Sequence, residues 1–310
     1  MSLAFVFPGQ GSQSIGMMNG LAQAYPQVQE TFDEASQALG YDLWTIVSAG
    51  PEDKLNSTDV TQPAMLAAGV ATWRVWLAQG GANPLVMAGH SLGEYTALVC
   101  AGAIGFADAI KLVAARGHYM QQAVPKGTGA MAAILGLEDA DVLAVCEQAA
   151  SDDIVQAVNF NSPGQVVVAG NKSAVERATE IAKQKGAKRA VILPVSVPSH
   201  CQLMKPAADK LAQDLLNITI QPPRIKVINN VDVKSPDDAN AIRDALARQL
   251  YQPVRWVEVI QAMIKTGSNP IVECGPGKVL VGLNKRIDKS VTHSAITDAD
   301  SLNTCLGNDK

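Results

Sequence analysis

Ser91 stands at the centre of Gly89-His90-Ser91-Leu92-Gly93, directly after the apolar run Leu85-Val86-Met87-Ala88 and before a helix-like stretch over 94–100. A strand, Gly-x-Ser-x-Gly and a helix in that order form a nucleophile elbow, a turn so tight that positions two either side of the serine must lack bulk. The hydroxyl then projects from the sheet edge, and the backbone N–H of Leu92 points to where a tetrahedral oxyanion would form. A serine hydroxyl is a weak nucleophile near neutral pH and needs a base within hydrogen-bond reach. The chain offers His90, His118, His200 and His293. His90 leaves the backbone on a different side from Ser91 and reads as a packing or turn residue, and His118 falls inside a helical pattern. His200 follows an extended segment and sits after Pro198 and Ser199 in a short loop that can overhang a cleft. It is the favoured base, with His293, in the late position of a hydrolase order, as the alternative.

Arg116 is the second informative residue. Its neighbours at i−4, i−3, i+3 and i+4 are Leu112, Val113, Tyr119 and Met120, so it lies on the inward stripe of a helix. A guanidinium there does not deprotonate and needs an anion. That anion is either a structural carboxylate or a carboxylate on a substrate, gripped by two parallel hydrogen bonds. Beside a reactive serine, the second reading means an acyl group that carries its own free acid.

The elements that must position these residues are readable from pattern. The chain has 310 residues, 47% hydrophobic and 17% charged, which is enough to bury one large core and carry a smaller unit. A formal charge of −4 gives no global basic footprint, so nucleic acid is not an expected partner. Five cysteines without a CxxC pair argue against a disulfide framework and a zinc site and fit a reducing cytoplasm. Residues 1–7 read as a first strand rather than a signal peptide, and the longest uncharged segment, 75–93, is broken by Gly80, Gly81 and Pro84 and does not read as a membrane span. Helices are expected over 28–39, from Pro63 as first helical residue to 77, and over 107–123. From 130 onward the pattern becomes strand 130–135, helix 139–149, strand 154–160, strand 165–169, helix 173–185 and strand 189–194, a β-α-β-β-α-β ferredoxin-like unit. A helix over 204–216, a strand near 225–228, a helix starting at Pro236 with Ser235 as N-cap, a helix over 256–265 and a strand at 271–272 follow. The fold class is therefore α/β: a hydrolase-like core with a parallel sheet, built from 1–124 and 197–310, and an inserted ferredoxin-like small subdomain over 125–196. The site is expected in the cleft between them.

Taken together, these residues resemble the malonyl-CoA:acyl-carrier-protein transacylases of bacterial fatty acid synthesis. The likeness covers nearly the whole chain and rests on Phe7-Pro8-Gly9-Gln10-Gly11-Ser12-Gln13, Gln62-Pro63, Gly89-His90-Ser91-Leu92-Gly93-Glu94, Arg116, Asn161-Ser162-Pro163, Ser199-His200, Gln249 with Pro253-Val254-Arg255-Trp256, and Gly275-Pro276-Gly277. The resemblance implies Ser91 as nucleophile, His200 as base and then acid, and the backbone carbonyl of Gln249 as the group that orients His200. It implies an oxyanion hole of the Gln10 and Leu92 N–H groups, Arg116 on the malonyl carboxylate, and Gln62, Asn161 and Ser199 in the pocket. The implied reaction passes malonyl from malonyl-CoA to Ser91 and on to the phosphopantetheine thiol of holo acyl carrier protein, without a metal or redox cofactor. One departure from the family pattern is Ser199: many malonyl-selective relatives have Phe immediately before the histidine.

Two other functions share these features. An esterase or thioesterase would use the same elbow with water as acceptor, and a non-catalytic carrier-docking protein would form no covalent adduct. Candidate basic patches for an acidic carrier are Lys183, Lys185, Lys188 and Arg189, or Lys285, Arg286 and Lys289.

Overall fold

The computed structural model describes residues 2–195 and 197–307. Met1, Ser196 and residues 308–310, which the expected first strand and unit boundaries include, lie outside the described residues.

Two sheets organise the chain. The first has five parallel strands: β1 (Ala4–Phe7), β2 (Val86–Gly89), β7 (Lys226–Ile228), β8 (Ile271–Cys274) and β9 (His293–Ile296), in the order β7-β2-β1-β8-β9. Parallel strands need both faces covered, and β1 and β2 are accordingly apolar throughout, while β8 buries one carboxyl, Glu273. Alternation then divides their side chains. Phe5, Phe7 and Met87 enter the main core, where the almost wholly buried helix Thr58–Ala78 lies, while Ala4, Val6, Val86 and Ala88 pack with Trp256, Val259 and Met263 of helix Trp256–Lys265 on the other face.

The second sheet is antiparallel, with β3 (Gly129–Leu135), β4 (Val155–Ser162), β5 (Gln165–Asn171) and β6 (Arg189–Ile192) in the order β4-β5-β3-β6. Helices Asp139–Ala150 and Lys172–Gln184 cover one face and share a separate apolar core with Ala132, Ile134, Val166 and Val168. The connectivity and order are those of the ferredoxin-like unit read from the sequence. Met131, Val158, Val167 and Ala169 face the other way, toward Cys201. Strand β4 also exchanges backbone bonds with Val254, Phe160 N–H to the Val254 carbonyl at 3.0 Å and Val254 N–H to the Val158 carbonyl at 2.8 Å.

Two helix starts differ from expectation. Pro63 is not a first helical residue but lies inside helix Thr58–Ala78. The polar residues from 58 to 62 hid the earlier start, because Thr58, Thr61 and Gln62 are buried there. The helix expected from Pro236 with a Ser235 cap begins instead at Ala239, where the Asp238 carboxylate accepts the N–H groups of Asn240 and Ala241. That carboxylate satisfies two otherwise orphaned donors at once.

Candidate active site

The site is assembled at the carboxyl ends of the parallel strands, where the chain leaves β2 for helix Leu92–Cys100. Gly89, paired with Phe7 at the end of β2, crosses Gly93 so closely that a Cβ on Gly89 would lie 1.8 Å from the Gly93 carbonyl carbon, and one on Gly93 would lie 2.0 Å from the Phe7 oxygen. Between them Ser91 is forced to φ 50° and ψ −108°, a conformation that costs about 1–3 kcal/mol for a residue with a side chain. Neighbours hold it there. Ser91 N–H donates to Asn230 Oδ1 at 2.8 Å, and the Ser91 carbonyl accepts from Gln249 Nε2 at 3.0 Å.

His200 is the histidine that reaches the serine. Its Nε2 is 2.8 Å from Ser91 Oγ and its Nδ1 is 2.6 Å from the backbone oxygen of Gln249. Because a carbonyl can only accept, Nδ1 carries the proton, and the bare Nε2 accepts from the serine hydroxyl. His200 also has a positive φ of 67°, and its N–H is tied to the Leu250 carbonyl at 2.9 Å. Burial, aided by the nearby charge of Arg116, pushes the imidazole down to about 3, so it is neutral at physiological pH.

His293, the alternative base, begins β9, with its Nε2 against the Asp288 carbonyl at 2.9 Å. His118 lies in helix Phe106–Gln122 and contacts Gln122. His90 packs its ring 5.4 Å from that of Trp256 and meets Asn161 Oδ1 at 2.8 Å, as a residue that shapes the turn.

Arg116 is 1% exposed, on helix Phe106–Gln122. No ion pair among the described residues involves it. Neutral groups orient it instead: Nη1 donates to Gln62 Oε1 at 2.9 Å, and Nη2 donates to Gln249 Oε1 at 3.1 Å and Ser91 Oγ at 3.2 Å. Its guanidinium carbon lies 5.4 Å from the Tyr95 ring centre, and its Nε–H has no hydrogen-bond partner among the described residues. A fixed cation with donors to spare thus touches the hydroxyl that the histidine activates.

A cavity of about 580 Å³ opens onto these groups, lined by Gln10, Ser91, Leu92, Arg116, Ser199 and His200 among others, with Met131, Leu193 and Val195 contributed from the small unit. Neither the Gln10 N–H nor the Leu92 N–H enters a backbone hydrogen bond of the turns, loops and caps. Among the described residues neither has a backbone partner, which leaves both to face a group in the cavity. Two residues expected on the pocket wall stand one layer behind it. Gln62 is fully buried and steers Arg116, and Asn161 steers His90; their amide oxygens are taken up by those side chains.

An acyl transferase domain model matches residues 4–302. The chain is 60% identical over 303 residues, 98% of each chain, to the malonyl CoA-acyl carrier protein transacylase of Salmonella typhimurium. The chain belongs to this transacylase family. It is an acyltransferase. A solved transacylase of the family from Coxiella burnetii superposes with a TM-score of 0.98 at 53% identity, covering 99% of this chain and 97% of the other. A malonyl-transacylase solved in complex with its type II PKS acyl-carrier protein gives a TM-score of 0.98 at 57% identity, with both chains covered completely.

Sequence reasoning missed two members of the transacylase site. Asn230 receives the Ser91 N–H and donates through Nδ2 to the Gly89 carbonyl at 2.7 Å. Glu94 accepts from Asn230 N–H at 2.9 Å and from Gln249 Nε2 at 2.8 Å. Neither contact is local in sequence. The available signal was position, since Asn230 follows the carboxyl end of a strand that was itself expected.

Proposed function

We propose that the protein transfers a malonyl group from malonyl-CoA to the phosphopantetheine thiol of an acyl carrier protein by a ping-pong route through malonyl-Ser91, supplying fatty acid synthesis in the cytoplasm. The observation that carries this reading is Arg116, buried beside Ser91 Oγ and in no ion pair among the described residues. A carboxylate one methylene beyond a thioester carbonyl is the ligand that such a cation selects.

In the first half-reaction His200 Nε2 takes the hydroxyl proton as Ser91 Oγ attacks the thioester carbonyl. The Gln10 and Leu92 N–H groups receive the oxyanion, each such donor being worth on the order of 10² to 10³ in rate. His200 then returns its proton to the departing CoA thiolate. In the second half the carrier thiol gives a proton to His200, attacks the malonyl ester, and the proton passes back to Ser91 Oγ. The imidazolium formed in each half is stabilised by the Gln249 carbonyl facing Nδ1, where a hydrolase triad would place a carboxylate. A carbonyl holds the ring without adding a negative charge near the incoming malonyl group.

The reaction calls for no metal or redox group, because the thioester is already an activated acyl donor; the phosphopantetheine belongs to the carrier. Ser199 leaves space beside the base. The residue boundaries 125 and 196 are proposed to delimit the small unit, whose Met131, Leu193 and Val195 close the cavity over Ser91. Five cysteines without a CxxC pair support a reducing location, and no described helix is long and apolar enough to cross a membrane. Initial rates at varied malonyl-CoA and holo carrier protein test the reading: parallel double-reciprocal lines are expected, and intersecting lines, which require both substrates bound together, would overturn it.

A further inference from the structure

Behind the reacting residues lies a carboxyl group for which the proposed reaction has no use. Glu94 is 2% exposed and makes none of the ion pairs among the described residues. The Gln249 amide stands between it and Arg116: Nε2 donates to Glu94 Oε2 at 2.8 Å, and Oε1 accepts from Arg116 Nη2 at 3.1 Å. The planar amide therefore links the buried anion to the buried cation and fixes which face of the guanidinium meets Ser91. Both of the hydrogen bonds that Glu94 accepts, from Asn230 N–H and from Gln249, fall on Oε2. Oε1 can carry a proton without displacing either donor.

We propose that Glu94 is a positioning residue and the resident countercharge of Arg116, and that it gives up its negative charge by taking a proton when a donor carboxylate docks on Arg116. This rests on the reading of Arg116 as the carboxylate site. A docked malonyl carboxylate would put two negative charges around one buried cation, and the one that can be neutralised without breaking a contact is Glu94. Burial already holds this carboxyl up at about 7. The groups that face it are Arg116, which favours its ionised form, Asp232, which opposes it and is itself paired with Arg248, and Tyr95, whose hydroxyl is pushed up to about 12. His200 and His90 are both held down by burial and stay neutral near pH 7.5. For a group that titrates near 7, a rise of about one unit takes up roughly half a proton at pH 7.5.

The test is calorimetric titration of the Ser91→Ala protein, which binds donors without turnover, in phosphate and in Tris at pH 7.5. Malonyl-CoA and acetyl-CoA share every CoA group, so the difference between them isolates the carboxylate. The expected result is tighter binding of malonyl-CoA, an uptake of roughly half a proton specific to it, and loss of that uptake in Ser91→Ala/Glu94→Gln. Tighter malonyl-CoA binding without the extra proton overturns the role of Glu94 and leaves the Arg116 reading standing. Equal affinity for the two donors overturns both. Should the double variant not fold, the uptake of Ser91→Ala measured from pH 6 to 9 decides: a maximum close to neutrality supports the proposal, and no malonyl-specific uptake across the range refutes it.

Discussion

Replacing Arg116 by Ala separates the two things this side chain does. It removes the cation proposed to hold the donor carboxylate, and it leaves the oxygens of Gln62 and Gln249 without the donors they now receive at 2.9 and 3.1 Å. The first loss applies only to donors with a free acid. A hydrogen bond to a charged group is worth about 1.5–3 kcal/mol, so kcat/KM for malonyl-CoA should fall roughly ten- to a hundredfold, and further if both carboxylate oxygens are held. The second loss applies to every donor, and each unsatisfied buried oxygen costs about 1–3 kcal/mol of stability unless water enters the space. An opposite effect accompanies them. Arg116 is one of the causes that hold His200 down, so its removal moves the imidazole up and makes it a stronger base at neutral pH. Acetyl transfer is therefore expected to be spared or raised while malonyl transfer collapses. The assay is acyl transfer from the two CoA donors to holo carrier protein, read as the ratio of their kcat/KM values, with a melting curve to separate folding from function. An equal fall for both donors in a folded variant would refute the assignment.

Three further expectations follow from the same geometry. Because His200 titrates at about 3, its basic form persists well below the usual histidine range, and the acid limb of the malonyl-CoA kcat/KM profile should lie below pH 5; a single limb near 6.5 would contradict the burial argument. Glu94 and Glu273 are both held up at about 7 by burial, so the stability they contribute is complete at low pH and is lost as pH rises through 7, whereas His200, held down, contributes stability that is lost as pH falls from 6.5 toward 3. Between 4.5 and 6.5 these trends oppose each other. Above 6.5 only the carboxyls act, and unfolding free energy from urea titration should drop by about 0.8 kcal/mol per carboxyl between pH 6.5 and 8.5, less in Glu273→Gln; an unchanged midpoint would sink the idea. Finally, Gly93→Ala would set a methyl 2.0 Å from the Phe7 carbonyl oxygen, a backbone atom in the central strand, so both Tm and transfer rate should fall. A variant with native Tm and rate would show that the crossing is not needed.

Much of this site was legible because its chemistry is encoded locally. The Gly-x-Ser-x-Gly spacing demands a close crossing, and the inward position of Arg116 follows from four apolar neighbours at helical spacing. The small unit was legible because its alternation of strands and amphipathic helices is self-contained; helix Lys172–Gln184, for example, buries Ala174, Val175 and Ala178 on one stripe. What stayed hidden depends on contacts across long separations. Nothing around Asn230 announces that its side chain would receive the Ser91 N–H from 139 residues away. Gln62 was expected on the pocket wall only through the family resemblance, and in three dimensions its oxygen is taken by Arg116. Pro63 misled because a proline at the first helical position and one in the interior look alike when the residues before it are polar; here those polar residues are buried and belong to the helix.

Everything proposed for this site requires that the Ser91 hydroxyl be esterified by a donor bearing a free acid. Rapid-quench mass spectrometry of the protein mixed with malonyl-CoA alone tests it most directly. One added malonyl group is expected, mapped to the peptide containing Ser91, absent in Ser91→Ala and removed on addition of holo carrier protein with the malonyl group appearing on the carrier. Transfer to the carrier with no adduct at Ser91, or an adduct that survives the carrier, would contradict it.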